Sequence, residues 1–568
     1  MSRFRLWDLN DEQRAAVSHT GGPLLILAGA GTGKTRVITS RIAWLVAQGA
    51  NPSSILAVTF TNKAAREMRE RAMGLVDPDV GAAISISTFH SLCMRILRTD
   101  AEHLGYKKNF SIFDDGDQQS LVKKIINRVC SEGESLDTGA ARAAISKAKN
   151  NGWAPPQDEE TVVGAVYRRY EHDLRAQNAM DFDDLLVNAV RLLSDFPEVR
   201  ERWRSLYRHL LVDEFQDTNK LQLDLVSMLA AGDPADVCVV GDDDQSIYGW
   251  RGAEVTNILE FERHFPDPTV VKLEQNYRST NEILQAANRV IANNTRRRGK
   301  NLWSPREGGE PVQVIAVPDD KEEAEFIVNE IAARQHSEGV PWESFAILYR
   351  MNAQSRGFEE NLRRLRIPYR VVGGKSFYDR REVKDVMATM TVMINSGDDQ
   401  ALLRIINTPP RGIGATTVDL ALERSIGNDR SLFDEMMSAE FLAYVPTRAS
   451  NKVREFSETI AAARIEILTP GEDAAAIVQR LLDESGYFDD LRRSCKTPTE
   501  ADKRESNVRE FLISLQDYQK RAKGGLRGFL DEVTLDRDRQ EKKADESDGV
   551  TLITLHAAKG LEFPHVTL

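Results

Sequence analysis

The chain has 568 residues, about four domains at roughly 150 residues each, and 41% hydrophobic with 29% charged content marks a soluble globular protein, not a disordered or collagen-like one. No apolar run approaches the ~18–20 residues of a transmembrane helix, so no membrane role is expected; the N-terminus lacks a secretory signal. Four scattered cysteines (Cys93, Cys130, Cys238, Cys495) argue against a disulfide framework or zinc site and fit a reducing cytoplasm, while a net charge of −12 argues against a protein that coats nucleic acid everywhere but leaves room for a narrow basic groove.

Short β-branched runs alternate with helical patterns over the first hundred residues, the rhythm of a parallel α/β sheet. Leu24–Leu27 predicts a strand, followed by a glycine-rich turn. Val37, Ile38, Ile42, Leu45 and Val46 predict a helix from Thr35 that Gly49 stops. Ile55–Val58 predicts the next strand, Thr61–Val76 the next helix and Ile84–Ile86 a third strand. Residues 101–181 read as helical, with loose stretches at Ser131–Gly139 and Trp153–Pro156. Strand signals resume at Leu210–Val212, Val237–Val240 and Val270–Leu273. The basic run Arg296–Lys300 reads as a solvated face.

A second α/β rhythm begins near residue 311, with strands expected at Val312–Ala316, Phe345–Tyr349 and Tyr369–Val372. Another helical stretch covers about 375–535, Asp536–Gly549 reads as a solvated linker, and strands return at Val550–Leu555 and His565–Leu568. The expected fold class is α/β, two parallel-sheet cores each interrupted by a mostly helical insertion. The first core takes residues 1–100 and 182–277 around an insertion at 101–181. The second takes 278–374 and 547–568 around an insertion at 375–546.

Ala28-Gly29-Ala30-Gly31-Thr32-Gly33-Lys34-Thr35 lies between the first strand and helix and meets the G-x-x-x-x-G-K-[ST] phosphate-loop pattern except at Ala28. Successive backbone N–H groups and a helix N-terminus can cradle phosphates, with Lys34 reaching the β/γ-phosphates and the Thr35 hydroxyl holding Mg²⁺. Arg36 adjoins this nucleotide-binding stretch. Asp213 and Glu214, just after an apolar strand, supply a metal-holding carboxylate and a group to activate the attacking water. Tyr248, Trp250 and Arg251 read as a stacking platform for bases, or else as an aromatic plug in the core. Thr408-Pro409-Pro410-Arg411-Gly412-Ile413-Gly414 reads as a turn leading into a capped helix, where N–H groups beside Gly412 and Gly414 can bind duplex phosphates.

The ordered motifs Leu9–Gln13, the phosphate loop, Thr59–Ala65, Ser87–His90, Asp213–Gln216, Gly241–Gly252, Gln275–Ser279 and Thr554–Glu562 together resemble the UvrD/Rep/PcrA-type superfamily 1A DNA helicases. That resemblance implies two RecA-like cores, ATP and Mg²⁺ as ligands, single-stranded DNA and single/double-strand junctions as partners, and 3′→5′ movement. It implies that Gln13 reads the adenine edge and Tyr277 stacks on the base. Gln245 would link the γ-phosphate to the DNA-binding loop, Arg278 would act as an arginine finger, and Glu562 would contact the ribose. It also places Phe60, Asn62, His90 and His556 on the single strand, and Gly412 and Gly414 on the duplex.

The chain ends at Leu568 inside an expected strand, whereas family members continue through a further arginine-bearing motif. It therefore reads as a fragment of a longer protein or as a chain short of full activity. Two alternatives to a translocating, unwinding enzyme stay open. One is a nucleotide-gated single-strand-binding module with little turnover. The other is a P-loop kinase of small molecules, opposed by the motifs at Phe60, Trp250 and Arg278. Protein partners are not legible in these residues.

Overall fold

The computed structural model describes residues 4–130, 136–152, 161–230, 236–306, 308–372, 378, 380–428, 430–469, 473–495, 497–521, 524–535 and 549–568. The stretch Trp153–Pro156, the start of Ser131–Gly139 and nearly all of the Asp536–Gly549 linker lie outside the described residues. The strands, in chain order, are β1 (Leu24–Ala28), β2 (Ile55–Thr59), β3 (Ser85–Thr88), β4 (Ser111–Phe113), β5 (Ala179–Asp181) and β6 (His209–Val212). They continue as β7 (Val237–Gly241), β8 (Thr269–Leu273), β9 (Phe345–Tyr349), β10 (Tyr369–Val371), β11 (Val550–Thr554) and β12 (His565–Thr567). The chain divides into two compact units. Unit 1 comprises Met1–Glu274, Arg296–Lys300 and Arg380–Asp536; unit 2 comprises Gln275–Thr295, Asn301–Asp379 and Arg537–Leu568.

Unit 1 is built on a parallel sheet in the order β3-β2-β6-β7-β1-β8. Its inner strands are apolar without alternation because helices cover both faces. Leu25, Leu27, Leu56, Val58, Leu210, Val212, Val237 and Val239 enter one core, and Leu24, Ile26, Ile55, Ala57, Leu211, Cys238 and Val240 enter the other. That division is the period-two consequence of strand geometry. The register pairs Leu27 with Gly241 and Val212 with Val239, so the C-terminal ends of β1, β6 and β7 finish side by side. Ala28–Lys34, Asp213–Gln216 and Gly241–Gln245 therefore leave the sheet at one edge.

The helical region after residue 100 has its own core of Phe113, Leu121, Ile125, Ile145, Tyr167 and Tyr170. Two short strands that the sequence pattern did not announce, β4 and β5, pair in parallel at its two ends. Lys149, at the end of the helix Thr138–Asn150, is buried with Nζ 2.6 Å from Glu171, 2.8 Å from Asp181 and 2.7 Å from Asp184. Asp181 and Asp184 also form the capping box of the helix Phe182–Asp195, so this ion cluster fastens the helical region to the sheet's covering helices. The helices between Arg381 and Leu535, which lie between β10 and β11 in sequence, pack within unit 1. Arg98 reaches both oxygens of Asp531 (2.6 and 3.2 Å), Lys384 lies 3.0 Å from Asp114, and Asn395 Nδ2 donates to Ser111 Oγ at 2.6 Å.

Unit 2 has a parallel sheet in the order β10-β11-β9-β12. The helices Asp320–Glu338 and Ser355–Arg364 bury Val328, Ile331 and Leu362 against Phe345, Ile347, Val550 and Leu552. The strand expected at Val312–Ala316 is not formed. The segment carries the right residues, but among the described residues no strand pairs with it, and Val314 is 96% exposed. Among the described residues no helix is long and apolar enough to cross a membrane.

Candidate functional site

At the C-terminal end of β1 the chain turns through Gly31 (φ +70°) and Gly33 (φ +89°), left-handed conformations that favour glycine. A Cβ on Gly33 would also lie 3.0 Å from Gln13 Nε2. The cradle is therefore one that a larger residue would fill. Thr32 Oγ1 donates to Gly29 O (2.8 Å) and Lys34 Nζ to Ala28 O (3.4 Å), while Thr35 lies in the first turn of the helix Lys34–Ala47. Arg36 points outward and donates to Asp8 O at 2.8 Å. Gln13 is buried. Its Nε2 donates to Thr32 O at 2.9 Å and its Oε1 accepts from Asn10 N–H at 3.3 Å, so the structure places it as a brace of the loop.

Beyond β6, Asp213 is buried, and its Oδ1 accepts the Glu214 N–H at 2.9 Å. Glu214 itself has φ +52°, a conformation uncommon outside glycine. Gln216, fully buried, donates Nε2 to Glu214 Oε2 (2.5 Å) and accepts the Asp242 N–H on Oε1 (2.8 Å). Asp242 Oδ2 in turn accepts from Gln245 Nε2 at 2.5 Å. A Cβ on Gly241 would come within 2.6 Å of Gln216 Oε1 and 2.7 Å of Ile258 Cδ1, so the close approach needs glycine there. The motif Asp213–Gln216 was legible in the sequence, but the bridging role of Gln216 was not, because it depends on β6 and β7 being neighbours.

The loop then presents Tyr248, Trp250 and Arg251. Trp250 is 66% exposed, which removes the alternative of a core plug, and the Arg251 guanidinium lies 4.6 Å from the Trp250 ring centroid and 5.8 Å from that of Tyr248. Arg296–Lys300 is not a solvated face. Arg297 and Lys300 turn inward onto the carboxylates of Asp242–Asp244, and the Arg298 N–H donates to Asp243, because that acidic run needs counter-charge.

Phe60 packs edge-on against buried Phe89 (centroids 5.4 Å apart), and Asn62 opens the helix Asn62–Leu75 that Thr61 caps. His90 is half-buried, 5.6 Å from the Phe182 ring, and burial pushes its pKa down from 6.5 to about 4. In the helical part of unit 1, Gly412 has φ +73° and Gly414 caps the helix Ala415–Gly427 with its backbone; open space surrounds the Cβ position of Gly412. Arg411 turns inward to carbonyls of Ile406 (3.2 Å) and Pro409 (3.3 Å), so it shapes the turn; burial lowers its pKa to about 10.

In unit 2, Arg278 Nε is 2.5 Å from Glu562 Oε2, which brings two of the sequence candidates together. Asn276 is buried, and its Oδ1 accepts the N–H groups of Arg278 (2.8 Å) and Ser279 (2.7 Å), fixing the turn that carries Arg278. Tyr277 is partly exposed and donates its hydroxyl to Gln275 Oε1 at 3.0 Å. His556 lies in the turn after β11.

Two family matches cover the chain. Residues 9–266 match the UvrD/REP helicase N-terminal domain and residues 271–568 the UvrD-like helicase C-terminal domain. The chain is also similar to proteins described as ATP-dependent DNA helicase PcrA. That of Staphylococcus aureus (strain Mu50) is 42% identical over 571 residues, 98% of this chain and 77% of the relative. That of Staphylococcus epidermidis (strain RP62A) is 42% identical over 572 residues, with the same coverage of 98% and 77%.

The His90 environment makes a pH prediction. Its folded pKa of about 4 lies below the 6.5 of an unperturbed imidazole, so between those values the unfolded chain holds a proton that the folded chain lacks. Stability from this group is therefore complete above pH 6.5 and declines as pH falls toward 4, by at most about 1.4 kcal/mol per pH unit. The His90 ring signals in NMR should stay those of a neutral imidazole to about pH 5. A midpoint near 6.5 would contradict the desolvation of the ring beside Phe182.

Proposed function

Because the chain belongs to the UvrD/REP helicase family, we propose that it is an ATP-dependent DNA helicase acting in the cytoplasm. In this reading it moves 3′→5′ on single-stranded DNA and unwinds duplex at single/double-strand junctions, in repair, recombination or replication. The observation that carries the reading is the Gln216 bridge. One buried amide joins Glu214, at the nucleotide end, to Asp242, whose carboxylate holds Gln245 three residues before the exposed aromatic loop.

The chemistry follows from the placements. The glycine loop and the N-terminus of the helix Lys34–Ala47 suit the ATP phosphates, with Lys34 neutralising charge. The Thr35 hydroxyl and Asp213 carboxylate are hard oxygen donors of the kind Mg²⁺ takes, and the metal enters with ATP as part of the substrate. Glu214 orients and deprotonates the attacking water, Gln245 senses the γ-phosphate, and Arg278 stabilises charge on the transferred phosphoryl group. Gln13 and Tyr277 contact the base, and Glu562 the ribose. Tyr248, Trp250 and Arg251 stack on bases without reading sequence, joined on the strand by Phe60, Asn62, His90 and His556. Gly412 and Gly414 offer backbone N–H groups to duplex phosphates.

The test is ATP hydrolysis with and without single-stranded DNA, together with strand displacement from duplexes carrying 3′ or 5′ tails. DNA-stimulated hydrolysis and displacement from the 3′ tail are expected; strand binding without hydrolysis would instead support a nucleotide-gated binder. Lys34→Ala should weaken nucleotide binding. Glu214→Gln should keep binding and lower turnover by on the order of 10²–10⁴-fold, the scale of general-base catalysis; equal turnover in Glu214→Gln and wild type would refute the assignment. Trp250→Ala should weaken single-strand binding by about 1–3 kcal/mol, the worth of one stacked base, with little dependence on base identity. Unchanged strand affinity in a titration would remove Trp250 from the track.

A further inference from the structure

Lys300 occupies an unusual position for a residue of a basic surface run. Its side chain is buried and places one ammonium among three consecutive carboxylates: Asp242 Oδ1 at 2.7 Å, Asp243 Oδ1 at 2.6 Å and Asp244 Oδ2 at 2.8 Å. An ammonium has three N–H donors, and here each meets a different acceptor. Oxygens of the three carboxylates lie within 4.8 Å of one another, a spacing at which like charges repel strongly unless a cation is placed among them. Burial works against the charged ammonium, but the carboxylates, led by Asp242, overcome it and raise its pKa above the ordinary lysine value.

Two neighbours reinforce the contact. Arg297 reaches Asp244 at 2.7 Å, and the Arg298 N–H donates to Asp243 Oδ2 at 2.7 Å. The Arg298 guanidinium closes over Ile258 O (3.0 Å), Leu259 O (2.6 Å) and the Glu262 carboxylate. With one oxygen of Asp242 held by Lys300, the other is fixed toward Gln245 Nε2. The stretch Arg296–Lys300 clusters with unit 1, whereas the residues before it (275–295) and after it (301–379) belong to unit 2.

We infer that Lys300 is a positioning residue for coupling ATP hydrolysis to strand binding: through Asp242 it fixes Gln245. The inference rests on the proposed helicase function and names a part of the machinery that function does not by itself assign. The effect of Lys300 passes entirely through the Asp242–Gln245 loop.

The experiment measures steady-state ATP hydrolysis by the 568-residue chain, with and without oligo(dT), for wild type, K300M and K300R. Thermal melting of each variant is followed alongside. In K300M the ratio of DNA-stimulated to DNA-free kcat should fall roughly tenfold to a hundredfold, the cost of displacing a reacting group by about 1 Å, while the KM for ATP stays near that of wild type. K300R keeps the charge but presents a planar fork in place of three tetrahedral donors, so it should recover part of that ratio. A folded K300M with the wild-type ratio, or one whose only defect is in KM, overturns the inference. Should K300M fail to melt cooperatively, K300R decides: a reduced ratio supports the inference and a wild-type ratio overturns it. A wild-type chain with no DNA stimulation overturns the helicase reading itself and the inference with it.

Discussion

The buried amide of Gln216 has its N–H on the Glu214 carboxylate and its oxygen on the Asp242 N–H. An unmade hydrogen bond at such a depth costs about 1–3 kcal/mol, more when the orphaned group is charged, so the two loops keep their relative placement. Several otherwise unrelated features follow from that constraint. Gly241 has to lack a side chain because the Gln216 oxygen occupies the space. Glu214 meets that amide from a positive φ, with its N–H held by Asp213 Oδ1. Asp242, with its N–H committed, offers both carboxylate oxygens to Gln245 and Lys300.

The sheet order makes this possible. β6 and β7 are neighbours and β7 pairs with β1, so the acidic loop, the Gln245 loop and the glycine-rich Ala28–Lys34 loop share one edge although they are far apart in sequence. Ligand sites in parallel α/β sheets form beyond the carboxyl ends of the strands because loops there can vary while the sheet stays fixed. The two cores on the sheet faces supply that rigidity. The Lys149 cluster and the Arg98–Asp531 pair fasten the helical regions onto it.

Both parallel sheets and most strand positions were legible in the sequence, because a strand buried on both faces is written as an unbroken apolar run such as Leu24–Ala28 or Val237–Val240. What escaped was whatever depends on partners. β4 and β5 are three residues each, too short to signal, and exist only because the helical region brings its two ends together. Val312–Ala316 has strand composition but pairs with no strand among the described residues. Arg296–Lys300 reads as a surface run until the Asp242–Asp244 carboxylates are placed opposite it, and Gln216 reads as one letter of a motif until Asp242 is seen at its other end. The motif positions Lys34, Asp213, Glu214 and Gln245 stood out in the sequence because the phosphate-loop pattern and the acidic run after an apolar strand are local in sequence.

The central claim is that hydrolysis and strand binding communicate through the Gln216 amide. Its most direct test is Gln216→Ala, measured for nucleotide binding, single-strand binding and DNA-stimulated ATP hydrolysis in the same preparation. The account predicts that the two binding affinities persist while DNA stimulation of kcat falls by on the order of tenfold or more, because Glu214 and Asp242 no longer move as one. Stimulation equal to that of wild type in a folded Gln216→Ala protein would contradict it.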